Sequence, residues 1–360
     1  MQRLLVDAHL DLAWNALQWN RDITQSVYTL RTQEAGQTGK GRAQNTVALP
    51  EMRQGGVGLC FATLMGRSTG IPVHHVDFHS PEQAYAIARG HLAYYRALEQ
   101  RGQVRLITDL PTLERHVDSW ATALAQPGAD IPSLPIGMVI SMESADAILE
   151  PSQVQDWWQT GVRLIGPAHF GPGRYAGGTG VEHGLTERGF ALLDEMQRHG
   201  IILDVTHLTD KGFWQALERF DGHVIASHTN SRRLVPHQRQ FDDRQIQAVI
   251  ARNGVIGVAL DCWMLEPGWV KGVSVNRNVS LAAVADHIDA ICQIAGDAHH
   301  VGIGSDLDGG YGREQSPHDL DTIADLRRLD SLLADRGYAA SDIEAVFSGN
   351  WLRKLKEAWQ

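Results

Sequence analysis

Short, nearly continuous apolar runs recur along the chain, and most are followed by a stretch in which apolar residues return every three or four positions. The runs begin near residues 4, 56, 136, 162, 201, 224, 254 and 301. They do not alternate with polar residues, as expected of strands covered on both faces. Helical periodicity falls over 81–101, where Ser80 can cap and Pro81 takes the first position, and over 186–199, 210–220, 242–252 and 281–295. Further helices are expected from about 111 and, closing the chain, over 320–336, 341–347 and 351–359. A weaker run at 104–107 is not counted with the eight. Residues 12–50 have little periodicity and predict a long loop above the first strand. Eight alternating units predict an α/β protein folded as a parallel (β/α)8 TIM-type barrel. No linker, charge block or low-complexity segment divides it, so residues 1–360 are expected to be a single domain.

Polar residues sit where these runs stop: His9 and Asp11, Glu143, His169, His207, His228 and Asp306. Taken alone, His9-Leu10-Asp11 reads equally as a core histidine beside a helix N-cap aspartate. Glu143 taken alone reads as a carboxylate in a first helical turn. The recurrence at six of eight strand ends carries more weight, because the C-terminal strand ends of such a barrel open on one face, where active sites are built. Four histidines and three carboxylates without a thiolate suit zinc or a related divalent ion. They also exceed the needs of one tetrahedral ion. Two ions ~3.5–4 Å apart could share a carboxylate and hold a hydroxide, since coordination lowers the pKa of water to ~7. Residues 171–180 (GPGRYAGGTG) hold five glycines in ten positions but lack the ending of a phosphate loop, and they are read as a mobile loop after a strand.

Composition narrows the partners. With 43% hydrophobic and 21% charged residues the chain can fill a large core. A net charge of −10 argues against a basic face for nucleic acid or anionic lipid and leaves a small molecule as the expected ligand. Cys60, Cys262 and Cys292 are widely spaced, with no C-x-x-C pair, which excludes a disulfide framework or zinc finger. The apolar residues after Arg3 pass straight into the His-x-Asp stretch, leaving no separate signal peptide, and no segment is long enough to span a bilayer. The expected location is cytoplasmic.

The pattern becomes specific when the motifs are taken in order: His9-Leu10-Asp11, Glu143, Asp204-Val205-Thr206-His207, Ala226-Ser227-His228-Thr229, Arg239 followed by Asp243, Gly304-Ser305-Asp306-Leu307-Asp308-Gly309, and Gly349-Asn350-Trp351-Leu352-Arg353. Across nearly the whole chain this resembles the signatures of the membrane dipeptidase (renal dipeptidase) family, peptidase family M19. General amidohydrolase barrels usually carry His-x-His and often a carboxylated lysine; His-x-Asp and a glutamate favour the dipeptidase branch.

The resemblance implies a binuclear zinc dipeptidase, with other divalent ions as alternatives. Its substrates would be small dipeptides, including ones with a D-residue at the carboxyl end, cleaved by attack of a metal-bridging hydroxide. His9 and Asp11 would bind one ion, His207 and His228 the other, and Glu143 both. Asp306 would be the general acid/base, His169 would face the substrate carbonyl oxygen, and Arg239 would pair with the substrate carboxylate. A homodimer is implied as well.

For Arg239 the bland alternative is a surface ion pair, as for its neighbours Arg232 and Arg233. Trp14 is read as a pocket wall, with core filling as the alternative. Asp308 is assigned to loop structure. His74, His75, His79, His183, His237, His299 and His300 match no ligand position and are read as surface or local structure.

Three departures from the family pattern fall on the expected walls: Glu143-Ser144-Ala145 where glycines commonly follow the glutamate, Pro167-Ala168-His169 in place of Leu-Thr-His, and Leu260-Asp261-Cys262-Trp263 where an asparagine and an aromatic are usual. They leave open a related amidohydrolase acting on N-acyl amino acids, lactams or other small amides. A silent binding protein would have lost a ligand or Asp306, and none is lost.

Overall fold

The computed structural model describes residues 3–71, 73, 75–126 and 128–360. Its strands are β1 (Leu5–Leu10), β2 (Val57–Met65), β3 (Val104–Leu106), β4 (Ile136–Glu143), β5 (Val162–Gly166), β6 (Ile202–Asp204), β7 (Val224–Ile225), β8 (Ile256–Val258) and β9 (Val301–Ile303). They pair in the order β7-β6-β5-β4-β2-β1-β9-β8. The ends of this path meet where Ala226 bridges Ile256, with Ala226 N–H donating to Val255 O (3.0 Å) and Gly257 N–H to Ala226 O (2.8 Å). The result is the expected (β/α)8 barrel. The weak run at 104–107 is the extra strand β3, which pairs with the first residues of β4 while β5 pairs with the last.

Every residue of β2 and β4 is buried, so their apolar runs have no polar face to alternate with. Inside the barrel, Val6, Phe61, Val139, Leu164, Ile202 and Ile225 from successive strands meet in one cluster with Trp351 and Leu355. These last two belong to the closing helix Asn350–Ala358, which plugs the barrel at the end away from the strand C-termini. Trp351 Nε1 donates to Ile303 O (3.1 Å), and the indole lies where a side chain at residue 302 would be, so Gly302 is required by packing.

The outer helices start on side-chain caps. Ser80 and Gln83 form a reciprocal capping box for Pro81–Gln100, and Thr186, Thr209, Asp242 and Ser280 cap the helices that follow. No helix among the described residues is long and apolar enough to cross a membrane.

The expected long loop at 12–50 is corrected by the structure. It contains two seven-residue helices, Leu12–Gln18 and Val27–Gln33, and the start of a third, Leu49–Gly55. Each is too short to show a full apolar stripe. They are held by buried charge pairing instead, chiefly Arg21 to both oxygens of Glu34 (2.8 and 2.9 Å). The span 320–336 divides into a 3₁₀ segment Ile323–Arg328 and a helix Leu329–Asp335.

Candidate metal centre and active site

The polar residues at the strand ends converge on the C-terminal mouth of the barrel. In β1, Asp7 pairs with Cys60 and Leu10 with Ala62, so three residues span what two span on β2. This bulge shifts the side-chain phase and turns His9 inward after Val6 and Ala8, a common use of bulges beside functional sites. Asp11 does occupy the N-cap of the next helix, but its carboxylate makes no cap hydrogen bond. Glu143 ends β4 rather than opening a helical turn. Ser144, His207 and Asp306 have φ of 65°, 68° and 57°. Such left-handed turns cost ~1–3 kcal/mol each in a non-glycine residue and persist where the surroundings over-determine them. Asp204 Oδ1 helps, accepting Thr206 N–H (3.1 Å) and Ser227 N–H (3.0 Å), and so ties the turns that present His207 and His228.

Glu143 lies at the centre. Its Oε1 is 3.1 Å from His207 Nε2 and 3.3 Å from His228 Nε2, while its Oε2 is 3.7 Å from His9 Nε2. His9 Nε2 is in turn 3.8 Å from both Asp11 Oδ2 and Asp306 Oδ1. His9 Nε2, Asp11 Oδ1 and Glu143 Oε1 are buried with no hydrogen-bond partner. Donor atoms that share an ion at ~2.1 Å lie roughly 3–3.5 Å apart, so these orphaned atoms fit a divalent cation set. Three overlapping groups form: His9, Glu143, His228; Glu143, His169, His207; and His9, Asp11, Asp306. Glu143 belongs to two of them, and its two oxygens face different histidines.

The electrostatics point the same way. Burial raises Glu143 to about 8 and Asp306 to about 7; Asp11 adds to both, and His9 opposes. Burial alone would lower His9, but Glu143, Asp11 and Asp306 outweigh it and push it up to about 10. Burial, with Arg239 adding, holds His207 well below its ordinary value, and burial with His9 does the same for His228. Three buried carboxylates that draw a proton onto His9, beside His207 and His228 held neutral, are a cation site by charge as well as by geometry.

The second nitrogen of three of the four histidines is held from behind. His207 Nδ1 meets Thr179 Oγ1 (2.9 Å), His228 Nδ1 meets Ser227 Oγ (2.8 Å), and His169 Nδ1 meets Arg67 Nη1 (2.8 Å). Thr179 belongs to the glycine-rich stretch, which is a packed ribbon rather than a mobile loop. Thr179 N–H donates to His169 O (2.8 Å), and Gly178 N–H donates to Gly171 O (2.9 Å). Gly178 abuts His169 O so closely that only glycine fits.

Arg239 differs from its neighbours. Arg232 pairs with Asp210 and Arg233 with Asp243, whereas Arg239 is buried, donates from Nη2 to His228 O (2.7 Å), and keeps Nη1 without a partner. It lines a cavity of ≈ 310 Å³ with Trp14, Lys40, Trp263 and Lys271. Trp14, 5% exposed, walls this cavity while its Nε1 donates to His75 O (3.0 Å).

Asp308 does not line the cavity. It accepts from Thr46 N–H (2.7 Å) and Val47 N–H (3.0 Å), pinning the loop before the helix Leu49–Gly55. His237 accepts Arg239 N–H at Nδ1 (3.0 Å), a local structural part. His74 lies outside the described residues. Arg67, Thr179 and the cavity lysines are not legible from the sequence, because each matters only through a partner far along the chain; Ser227, inside a quoted motif, backs its own neighbour His228.

Fold and site together define a metal-dependent hydrolase of the (β/α)8 class. A family model for membrane dipeptidases, peptidase family M19, matches residues 1–360, and the chain belongs to that family. It is 30% identical over 234 residues to an uncharacterized protein of the pqqA 5′ region of Klebsiella pneumoniae, covering 62% of this chain and 83% of that one. It is 32% identical over 177 residues to dipeptidase 3 of Rattus norvegicus, covering 49% of this chain and 34% of that one. The chain spans about half or less of the length of the named dipeptidases it matches.

Among solved structures, it superposes on a dipeptidase of family M19 with a TM-score of 0.80 and 22% identity, over 100% of this chain and 99% of that one. It also superposes on a metallopeptidase from Rhodobacter sphaeroides, liganded with a phosphinate mimic of L-Ala-D-Ala, with a TM-score of 0.79 and 21% identity over 100% of both chains.

Proposed function

We propose that the protein is a binuclear zinc-dependent dipeptidase acting on small dipeptides, among them ones with a D-residue at the carboxyl end. The observation that carries this reading is the division of Glu143 between two histidine groups, with Oε2 toward His9 and Oε1 toward His207 and His228. In this reading His9 and Asp11 hold one ion, His207 and His228 the other, and Glu143 both. Bound there, the ions would supply Lewis acidity and a water of pKa near ~7.

Asp306 takes the proton of the attacking water and returns it to the nitrogen of the leaving amine. Its Oδ1, 3.8 Å from His9 Nε2 at the edge of the ligand cluster, places a carboxylate where both transfers can be made. His169, whose Nε2 is 3.9 Å from Glu143 Oε2, donates to the carbonyl oxygen as negative charge develops. Arg239 offers its free Nη1 to the carboxylate of the dipeptide, and Trp14 closes one wall. The phosphinate mimic of L-Ala-D-Ala in the Rhodobacter sphaeroides protein supports the choice of L,D substrates. On family resemblance the reading includes a homodimer, tested by light scattering, and from the sequence a cytoplasmic, single-domain enzyme.

The test is steady-state hydrolysis of a panel of L,L and L,D dipeptides and their N-acetylated forms, by zinc-loaded protein and its Asp306→Asn variant. Turnover of free dipeptides that disappears in the variant is expected. No turnover of any dipeptide with two ions bound overturns the reading, and equal turnover of the N-acetylated forms moves it to an amidohydrolase of acyl amino acids.

A further inference from the structure

Arg67 follows directly on β2 and its neighbour Gly66, yet the residue is only 8% exposed and its guanidinium reaches the active site from behind. Its Nη1 lies 2.8 Å from His169 Nδ1, and its Nε lies 3.0 Å from Asp77 Oδ2. Asp77 is itself buried and accepts from Thr69 N–H (3.0 Å) and Thr69 Oγ1 (2.6 Å). The backbone closes the same clamp, with Phe78 N–H donating to Arg67 O (2.8 Å). Asp77 therefore aims Arg67, and Arg67 aims His169.

The chemistry of this contact is one-directional. A guanidinium has five N–H donors and no acceptor, and it keeps its charge in proteins. His169 Nδ1 must therefore supply the lone pair, which leaves the single proton of the neutral ring on Nε2, the nitrogen facing Glu143 and the cavity. The other two histidines on that side differ. Thr179 and Ser227 hydroxyls can accept a hydrogen bond from Nδ1–H of His207 and His228, which frees Nε2 of both rings to present a lone pair. Two hydroxyls back the nitrogens that can ligate, and one cation backs the nitrogen that cannot.

We infer that Arg67, braced by Asp77, is a positioning residue that locks His169 as a neutral Nε2–H donor aimed at the substrate carbonyl oxygen. By the same lock His169 is kept out of the metal sphere, although its ring falls within one of the three ligand groups. The role given to His169 rests on the dipeptidase reading; the tautomer does not.

The experiment compares zinc-loaded wild type with Arg67→Lys, which keeps a cationic donor, and Arg67→Met, which keeps bulk alone. Three quantities are read: the proton position on His169, by long-range ¹H–¹⁵N correlation in ¹⁵N-histidine-labelled protein with His169→Gln as the assignment control; zinc per chain; and kcat and KM on whichever substrate of the panel is turned over. The expected results are an unprotonated Nδ1 and protonated Nε2 in wild type and Arg67→Lys. Arg67→Met should lose that pattern and about 10²-fold in kcat, the scale of losing one oxyanion donor, with zinc content near wild type and KM changed much less. A protonated Nδ1 in wild type overturns the inference. So does an equal loss of kcat in both variants, or an Arg67→Met protein that keeps the wild-type proton position. If no substrate is found, the proton position alone still decides the lock, while the dipeptidase reading fails separately.

Discussion

Glu143 Oε1 stands 3.1 Å from His207 Nε2 and yet has no hydrogen-bond partner. A buried carboxylate and imidazole at this distance are stable only with a proton or a cation between them, and the unpartnered oxygen fits the cation. His207→Ala should therefore release at least one of two ions, whereas Asp306→Asn should retain both and lose roughly 10²–10⁴-fold in kcat, the usual share of a general acid/base. Metal analysis beside kinetics distinguishes them. Equal metal loss in both variants would make Asp306 a ligand instead. A chelator should lower the melting temperature of wild type, because it leaves Glu143, Asp11 and Asp306 crowded around His9 without a counter-cation.

The hydroxyl behind His207 should matter almost as much as the ligand. Thr179 Oγ1 is the group that orients the ring through Nδ1, and supports of this kind are typically worth about 10–100-fold in metal affinity. Thr179→Val preserves shape and removes the hydroxyl. Chelator competition should show zinc affinity weaker by at least about 10-fold on that scale, with kcat of the fully loaded enzyme changed less. Unchanged affinity would show that the turn alone orients His207.

The barrel and the gathering of polar residues at its mouth were legible because their causes are local. Strands buried on both faces leave unbroken apolar runs, and the mouth of the barrel requires polar residues where those runs stop. What was illegible depends on partners distant in the chain. The helices within 12–50 rest on Arg21 and Glu34 and on Asp308, 262 residues from the Thr46 backbone it holds. Arg67 acquires meaning only from His169, 102 positions later. That His9 faces the mouth depends on the bulge in β1, which turns it inward, and no residue in 7–10 announces that bulge.

Ser144 marks a place where this chain bears strain. Its φ of 65° with ψ of 118° is glycine territory, and its side chain returns a long 3.4 Å contact from Asp146 N–H and an interaction with the Asp146 carboxylate. Strain of this kind costs ~1–3 kcal/mol, against ~0.5–1 kcal/mol for the greater flexibility of an unfolded glycine. Ser144→Gly should therefore stabilise the protein by about 1 kcal/mol in denaturant unfolding, with metal content unchanged. Destabilisation would mean that the Ser144 hydroxyl and its packing outweigh the backbone strain.

His116 should make the barrel floor sensitive to acid. At the start of β2 its Nε2–H donates to Gly58 O (2.7 Å), while Nδ1 is buried without a partner, so a second proton has nowhere to bond. Burial holds the folded ring down to about 4, against ~6.5 in the unfolded chain. Between these values the unfolded state binds the proton and the folded state does not. The stability His116 confers is thus complete above pH ~6.5 and falls as the pH drops toward 4, by ~1.4 kcal/mol per unit. His116→Gln keeps a donor for Gly58 O and removes the titration. The stability of wild type minus that of the variant, from denaturant unfolding at pH 7.5 and pH 5, should shrink by on the order of 2 kcal/mol. A difference that stays constant across this range would mean that the folded floor accepts the proton after all, through a water or a shift of the ring that gives Nδ1 an acceptor.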